Sequence, residues 1–222
     1  MTNQIESLTA LLAARDKPVR IAVANLKGGT GKSTTAVEIA LALDRHSDDG
    51  VLIVDGDGGN GTSFEWSELA GEEWPSGINV AYWPSMTLAK RVRESGHTGH
   101  IVIDTGPHDA AILRQALLVS DYLVIPIAAT PSEVVRLQPT LIAAEEIGLQ
   151  KAIELSILFT RTKPKTLSLR DAREAIKDLG LPVLDTDVPF VLLYSQAYGT
   201  VPSDLGVYPA VLEEILRGST NA

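Results

Sequence analysis

The chain has no cysteine at any of its 222 positions. That excludes a disulfide framework, a cysteine-bound zinc and a cysteine-ligated iron–sulfur cluster. It also lacks any unbroken apolar run near the roughly 20 residues a membrane-spanning helix needs. Positive charge is scarce: 19 Lys and Arg stand against 28 Asp and Glu, for a net charge of -9. The surface is therefore not a general polycation, although a local basic patch can still meet nucleic acid. Internal repeats, low-complexity tracts and Pro/Gly/Ser-rich linkers are missing too. One domain over residues 1–222 is the simplest expectation, with 1–17 as a helical extension. Residues 1–15 lack the basic start and apolar block of a secretory signal, so a cytoplasmic location is expected.

What is present is a series of short apolar runs: Ile21–Ala24, Val51–Val54, Ile101–Ile103, Tyr122–Ile125 and Ile157–Phe159. They are continuous rather than alternating, as in strands buried on both faces. Stretches with helical spacing lie between them, at Thr34–Arg45, Ala110–Val119, Ser132–Ile147 and Leu169–Leu179. Thr130-Pro131-Ser132-Glu133 reads as a capping box opening the third of these, and Pro139 should kink or break it. The alternation predicts a doubly wound α/β fold, a mostly parallel sheet with helices on both faces and ligands at the carboxyl ends of the strands. Gln4–Ala14 also has helical spacing, through Ile5, Leu8, Leu11 and Leu12, and should pack on the domain edge.

The first strand runs into Lys27-Gly28-Gly29-Thr30-Gly31-Lys32-Ser33-Thr34, and a helix follows. Glycines let the backbone curl so that successive N–H groups face one phosphate chain, and the helix N-terminus adds partial positive charge. Lys32 suits the β- and γ-phosphates of ATP, and the Ser33 hydroxyl suits Mg²⁺. Gly28 to Thr34 as a whole form the phosphate cradle. The position that usually holds the loop's first glycine is Leu26, and a second lysine, Lys27, comes next.

Two carboxylates follow at strand ends. Asp55, in Val54-Asp55-Gly56-Asp57-Gly58-Gly59, can orient water or a metal beside the phosphates. Asp104 ends Ile101-Val102-Ile103-Asp104, the form of a Mg²⁺-holding strand, and is expected to act through water. Asp57 reads equally as a turn residue or a direct participant. His108 and Asp109 should open the next helix.

The string Lys27 to Thr34 resembles the deviant phosphate loop of the ParA/MinD family of P-loop ATPases. The likeness extends over Val19 to about Leu216 and is nearest to the short, ParF-like plasmid partition proteins. It implies that Lys27 crosses a dimer interface to the partner's nucleotide. It further implies that Asp55 positions the attacking water, and that Arg161 and Pro189 stand on the adenine side. Gly58-Gly59 replaces the family's Pro-Gln. The expected activity is hydrolysis of ATP with Mg²⁺. The expected partners are a second copy in the ATP state, nonspecific DNA and a centromere-binding partition protein, with no membrane. The alternatives are a MinD-like positioning ATPase, which needs a basic amphipathic tail, and a dethiobiotin-synthetase-like ligase.

Arg161, Lys163, Lys165, Arg170, Arg173 and Lys177 form the most basic stretch. The residues alone fit DNA phosphates or a solvated helix face with pairs such as Arg170–Glu174 equally well; the resemblance favours DNA. Trp66, Trp74, Trp83, Tyr194 and Tyr198 read as packing residues, and His97 and His100 as loop residues without a third metal ligand.

Overall fold

The structure is a computed structural model; it describes residues 2–218, apart from the side chains of residues 2–6, 131 and 132. Six strands form one sheet: β1 (Arg20–Val23), β2 (Val51–Asp55), β3 (Ile78–Tyr82), β4 (His100–Asp104), β5 (Tyr122–Ala128) and β6 (Glu154–Thr160). Their order is β3-β2-β4-β1-β5-β6, and every pairing is parallel. The helices are α1 (Thr2–Ala13), α2 (Lys32–His46), α3 (Thr62–Ala70), α4 (Leu88–Glu94), α5 (Ala110–Leu117), α6 (Pro131–Val135), α7 (Gln138–Gly148), α8 (Leu167–Asp178), α9 (Leu192–Ser195) and α10 (Tyr208–Arg217).

The continuous apolar runs are explained by two cores, one on each face of the sheet. Ile21, Val23, Val51, Ile53, Val102 and Val124 point to the side of α1, α2 and α10. Ala22, Leu52, Val54, Ile101, Ile103 and Leu123 point to the side of α4, α5, α7 and α8. Successive residues of a strand face opposite ways, so the stretch of a strand that helices cover on both sides is apolar at successive positions. Leu8 and Leu12 of α1 are buried among the first set, which bears out the edge-packed helix; Ile5 falls among the side chains not described. No helix among the described residues is long and apolar enough to cross a membrane.

The stretch from Ser132 to Ile147 is interrupted near Pro139, as expected: it forms α6 and α7, broken at Arg136–Leu137 with Pro139 in the first turn of α7. Glu133 does not complete a capping box: its carboxylate pairs with Lys27. His100 is a correction as well. It opens β4 and is 2% exposed, its Nδ1 accepting the Val19 N–H at 2.9 Å while Nε2 meets the Ser47 hydroxyl at 3.0 Å. An acceptor at Nδ1 requires the neutral ring, and burial depresses its pKa in the same sense.

Candidate functional site

The crevice lies at the carboxyl ends of β1, β2 and β4. Asp55 and Asp104 are register partners on adjacent strands, and Val23 of β1 pairs with Asp104. The loop leaving β1 is pinned from below. Asn25 donates through Nδ2 to Pro126 O at 2.9 Å and accepts the Lys27 N–H on its Oδ1 at 2.9 Å. The Leu26 N–H donates to Thr140 Oγ1 on α7 at 3.1 Å. Gly29 and Gly31 take φ of 75° and 84°, the left-handed region where a side chain would be strained, and Thr160 Oγ1 donates to Thr30 O at 2.8 Å. The loop is thus tied to β5, β6 and α7 before any ligand arrives.

Lys32 begins α2 and is 7% exposed; its Nζ donates to Lys27 O at 3.1 Å across the loop. Burial lowers its pKa, against the pull of Asp104 and Asp57. Lys27 turns the other way, out of the loop, to Glu133 of α6.

The two carboxylates are held differently. Asp55 is fully buried and accepts the Asp57 N–H on Oδ1 at 2.9 Å and the Phe64 N–H on Oδ2 at 3.0 Å. Burial raises its pKa, and those two donors oppose the rise. Asp104, also fully buried, accepts the Ser63 hydroxyl on Oδ2 at 2.6 Å, while Oδ1 has no hydrogen-bond partner. Burial, reinforced by Asp55, lifts its pKa to about 7 against Ser63, Ser33 and Lys32. Asp57 accepts the Gly59 N–H at 2.8 Å and packs against Gly106, where a Cβ would stand 2.6 Å from its Oδ1. The segment after β4 therefore follows the loop after β2. An orphaned buried carboxylate oxygen beside Ser33 suits a divalent cation, which would satisfy it.

A cleft opens beside the loop, lined by Gly31, Thr34, Arg161, Pro189 and Tyr194 among others. Thr162 bridges to Pro189, which brings the two expected adenine-side segments together. Sequence reading missed Tyr208, which is buried at the back with its hydroxyl 3.1 Å from Thr35 Oγ1. It also missed Ser63, Thr140 and Glu133 as partners of the site.

The basic window divides. Lys163 and Lys165 are exposed on the loop between β6 and α8, and Arg161 sits on the cleft rim. Arg170 meets Asp171 at 3.4 Å rather than Glu174. Arg173 is turned inward to Asp187 and donates to Leu184 O at 2.6 Å, because α8 packs on that segment. It does not share the exposed face.

Residues 21–201 match the CobQ/CobB/MinD/ParA nucleotide-binding domain. The chain belongs to that family. A relative from Gloeobacter kilaueensis, maintenance of carboxysome distribution protein A, is 32% identical over 170 residues, 76% of this chain and 75% of the relative. Cobyrinic acid a,c-diamide synthase from Mycobacterium smegmatis, solved with an ATP analogue and magnesium, has a TM-score of 0.69 at 20% identity, covering 90% of this chain and 95% of that one. A plasmid partition protein from Borrelia burgdorferi has a TM-score of 0.60 at 23% identity, covering 91% and 97%. These two likenesses show the fold, an α/β architecture that in this chain is built on an all-parallel sheet.

Proposed function

We propose that this chain is an ATP-driven positioning switch of the ParA kind. ATP binds with its phosphates in the loop at 27–34 and its base towards Arg161 and Pro189. Two copies then close face to face, and the closed pair holds DNA without reading its sequence until a cargo-bearing partner triggers hydrolysis. The observation that carries this reading is the divergence of the two lysines. Lys32 lies under the loop, one hydrogen bond from Lys27 O, whereas the Lys27 side chain leaves the loop altogether. Lys27 points away from the phosphate cradle of its own chain and pairs with Glu133; in this reading it exchanges that partner for the nucleotide of a second copy.

Within this reading the N–H groups from Gly28 to Thr34 receive the phosphates, helped by the N-terminus of α2. Lys32 exchanges Lys27 O for phosphate oxygens. Asp55, fixed by two backbone donors, orients the attacking water. Asp104 and Ser33 would hold Mg²⁺. Bound Mg²⁺ would neutralise charge on the β- and γ-phosphates. Lys163, Lys165 and Arg170 supply the DNA-facing charge.

Two cargoes fit this switch. One is DNA carried by a centromere-binding partition protein, as the resemblance implied. The other is a protein body, favoured by the 32% identity to a carboxysome-distribution protein. A membrane target is disfavoured by α10, which carries Glu213 and Glu214 against Arg217 alone.

The test is binding to random-sequence duplex DNA with ATP, with ADP and without nucleotide, across a salt series. The reading expects binding with ATP only, falling steeply with salt and weakened by Lys163→Ala with Lys165→Ala. Equal binding in all three states, or none in any, contradicts it.

A further inference from the structure

Ser63 is a fully buried hydroxyl that belongs to no motif of the site. It stands in the first turn of α3, the helix that follows the glycine-rich loop after β2. That turn meets both strand-end carboxylates. The Phe64 N–H donates to Asp55 Oδ2 at 3.0 Å, and Ser63 Oγ donates to Asp104 Oδ2 at 2.6 Å. The second contact is the shorter, as expected for a hydroxyl donating to a charged acceptor. It leaves Asp104 with one oxygen engaged and Oδ1 buried and unpartnered.

We propose that Ser63 is a positioning residue for the magnesium site, pinning one oxygen of Asp104 so that the other is presented to the cation beside Ser33. A carboxylate turns readily about its last torsion. Without the Ser63 donor, Asp104 is free to rotate towards Lys32, whose ammonium attracts it, and to offer the cation no fixed oxygen. With the donor, a single orientation is built before the ligand arrives. Hydrogen-bond partners of ligating carboxylates are worth roughly 10–100-fold in metal affinity. The same helix is fastened on its other flank, where Trp66 Nε1 donates to Thr200 O at 2.7 Å. The hydroxyl is therefore held by a fixed element rather than a free loop. The proposal rests on the reading of Asp104 as the cation's carboxylate.

The experiment is ATP binding to the full chain by calorimetry, in EDTA and over a series of free Mg²⁺ concentrations. Ser63→Ala is expected to bind ATP in EDTA as the unaltered chain does. It should need roughly tenfold more Mg²⁺ to reach half of the Mg²⁺-dependent gain in affinity. Ser63→Thr, which keeps the hydroxyl, should restore the ordinary requirement. Ser63→Cys keeps the volume but is a poor donor; it should follow Ser63→Ala, and it guards against a variant that merely fails to pack. An unchanged Mg²⁺ requirement in Ser63→Ala overturns the proposal. So does an equal loss of ATP affinity in EDTA and in Mg²⁺, which marks a packing role. Asp104→Asn separates the two claims. If it leaves the Mg²⁺ requirement unchanged, the reading of Asp104 fails. If it raises the requirement while Ser63→Ala does not, only the role of Ser63 fails.

Discussion

Lys27 is paired with Glu133 of its own chain, so the lysine that opens the phosphate loop is fastened to α6. Its side chain is 27% exposed and that of Glu133 6%, and Glu133 Oε2 has no hydrogen-bond partner. If Lys27 departs for another molecule, a buried carboxylate is left without its cation. In the proposed switch, the nucleotide state of the loop and the position of α6 are linked through this contact.

That contact should register in stability. A double-mutant cycle of Lys27→Ala and Glu133→Gln, read by urea unfolding, is expected to give a coupling of about 1–2 kcal/mol, between the values for exposed and fully buried pairs. Lys27→Ala alone should cost more than the double variant, because only the single one strands the carboxylate. Strict additivity would show that the pair does not form in solution.

Asp55 offers a sharper test of the chemistry. Asp55→Asn keeps one of the two acceptors that the Asp57 and Phe64 N–H groups use, sets an NH2 against the other donor, and removes the charge that orients water in the proposed mechanism. Turnover measured by phosphate release should fall by about a hundredfold or more, with ATP affinity little changed. Unaltered turnover would remove Asp55 from the mechanism.

Glu38 has no part in that chemistry yet carries a large share of the expected pH dependence, alongside Asp104. It is fully buried on α2, with neither carboxyl oxygen hydrogen-bonded, and burial pushes its pKa from 4.5 up to about 8. Since the folded value lies above the unfolded one, the protonated form stabilises the fold below pH 4.5. That contribution is lost as pH rises through 8. The free energy of unfolding should fall over this window by an amount on the order of 5 kcal/mol. Glu38→Gln should flatten the fall; an identical profile in the variant would assign the dependence elsewhere.

Much of this was legible in the sequence because it is local. The phosphate loop is eight contiguous residues, and the four strands nearest the middle of the sheet each carry an unbroken apolar run because both faces are covered. What was missed is non-local or weakly patterned. β3 is an edge strand whose Asn79 and Tyr82 are exposed, so it shows no apolar run. α3 buries little apolar surface besides Trp66 and Ala70 and follows a run of glycines, which hides its start. Ser63 gains its meaning only when the start of α3 meets the end of β4, 41 residues away. Arg173 looks like its basic neighbours until α8 packs on residues 183–187 and turns it to Asp187. Glu133 fitted a capping box by spacing, yet the long-range partner Lys27 took its carboxylate.

The central claim is that Lys27 acts on a second copy of the chain. Sedimentation of the chain and of Lys27→Ala, each with Mg²⁺ and either ATP or ADP, tests it most directly. The account predicts a shift from monomer to dimer with ATP alone, absent in Lys27→Ala although that variant still binds ATP. A chain that stays monomeric with ATP bound, or a Lys27→Ala variant that dimerises as readily as the unaltered protein, would contradict it.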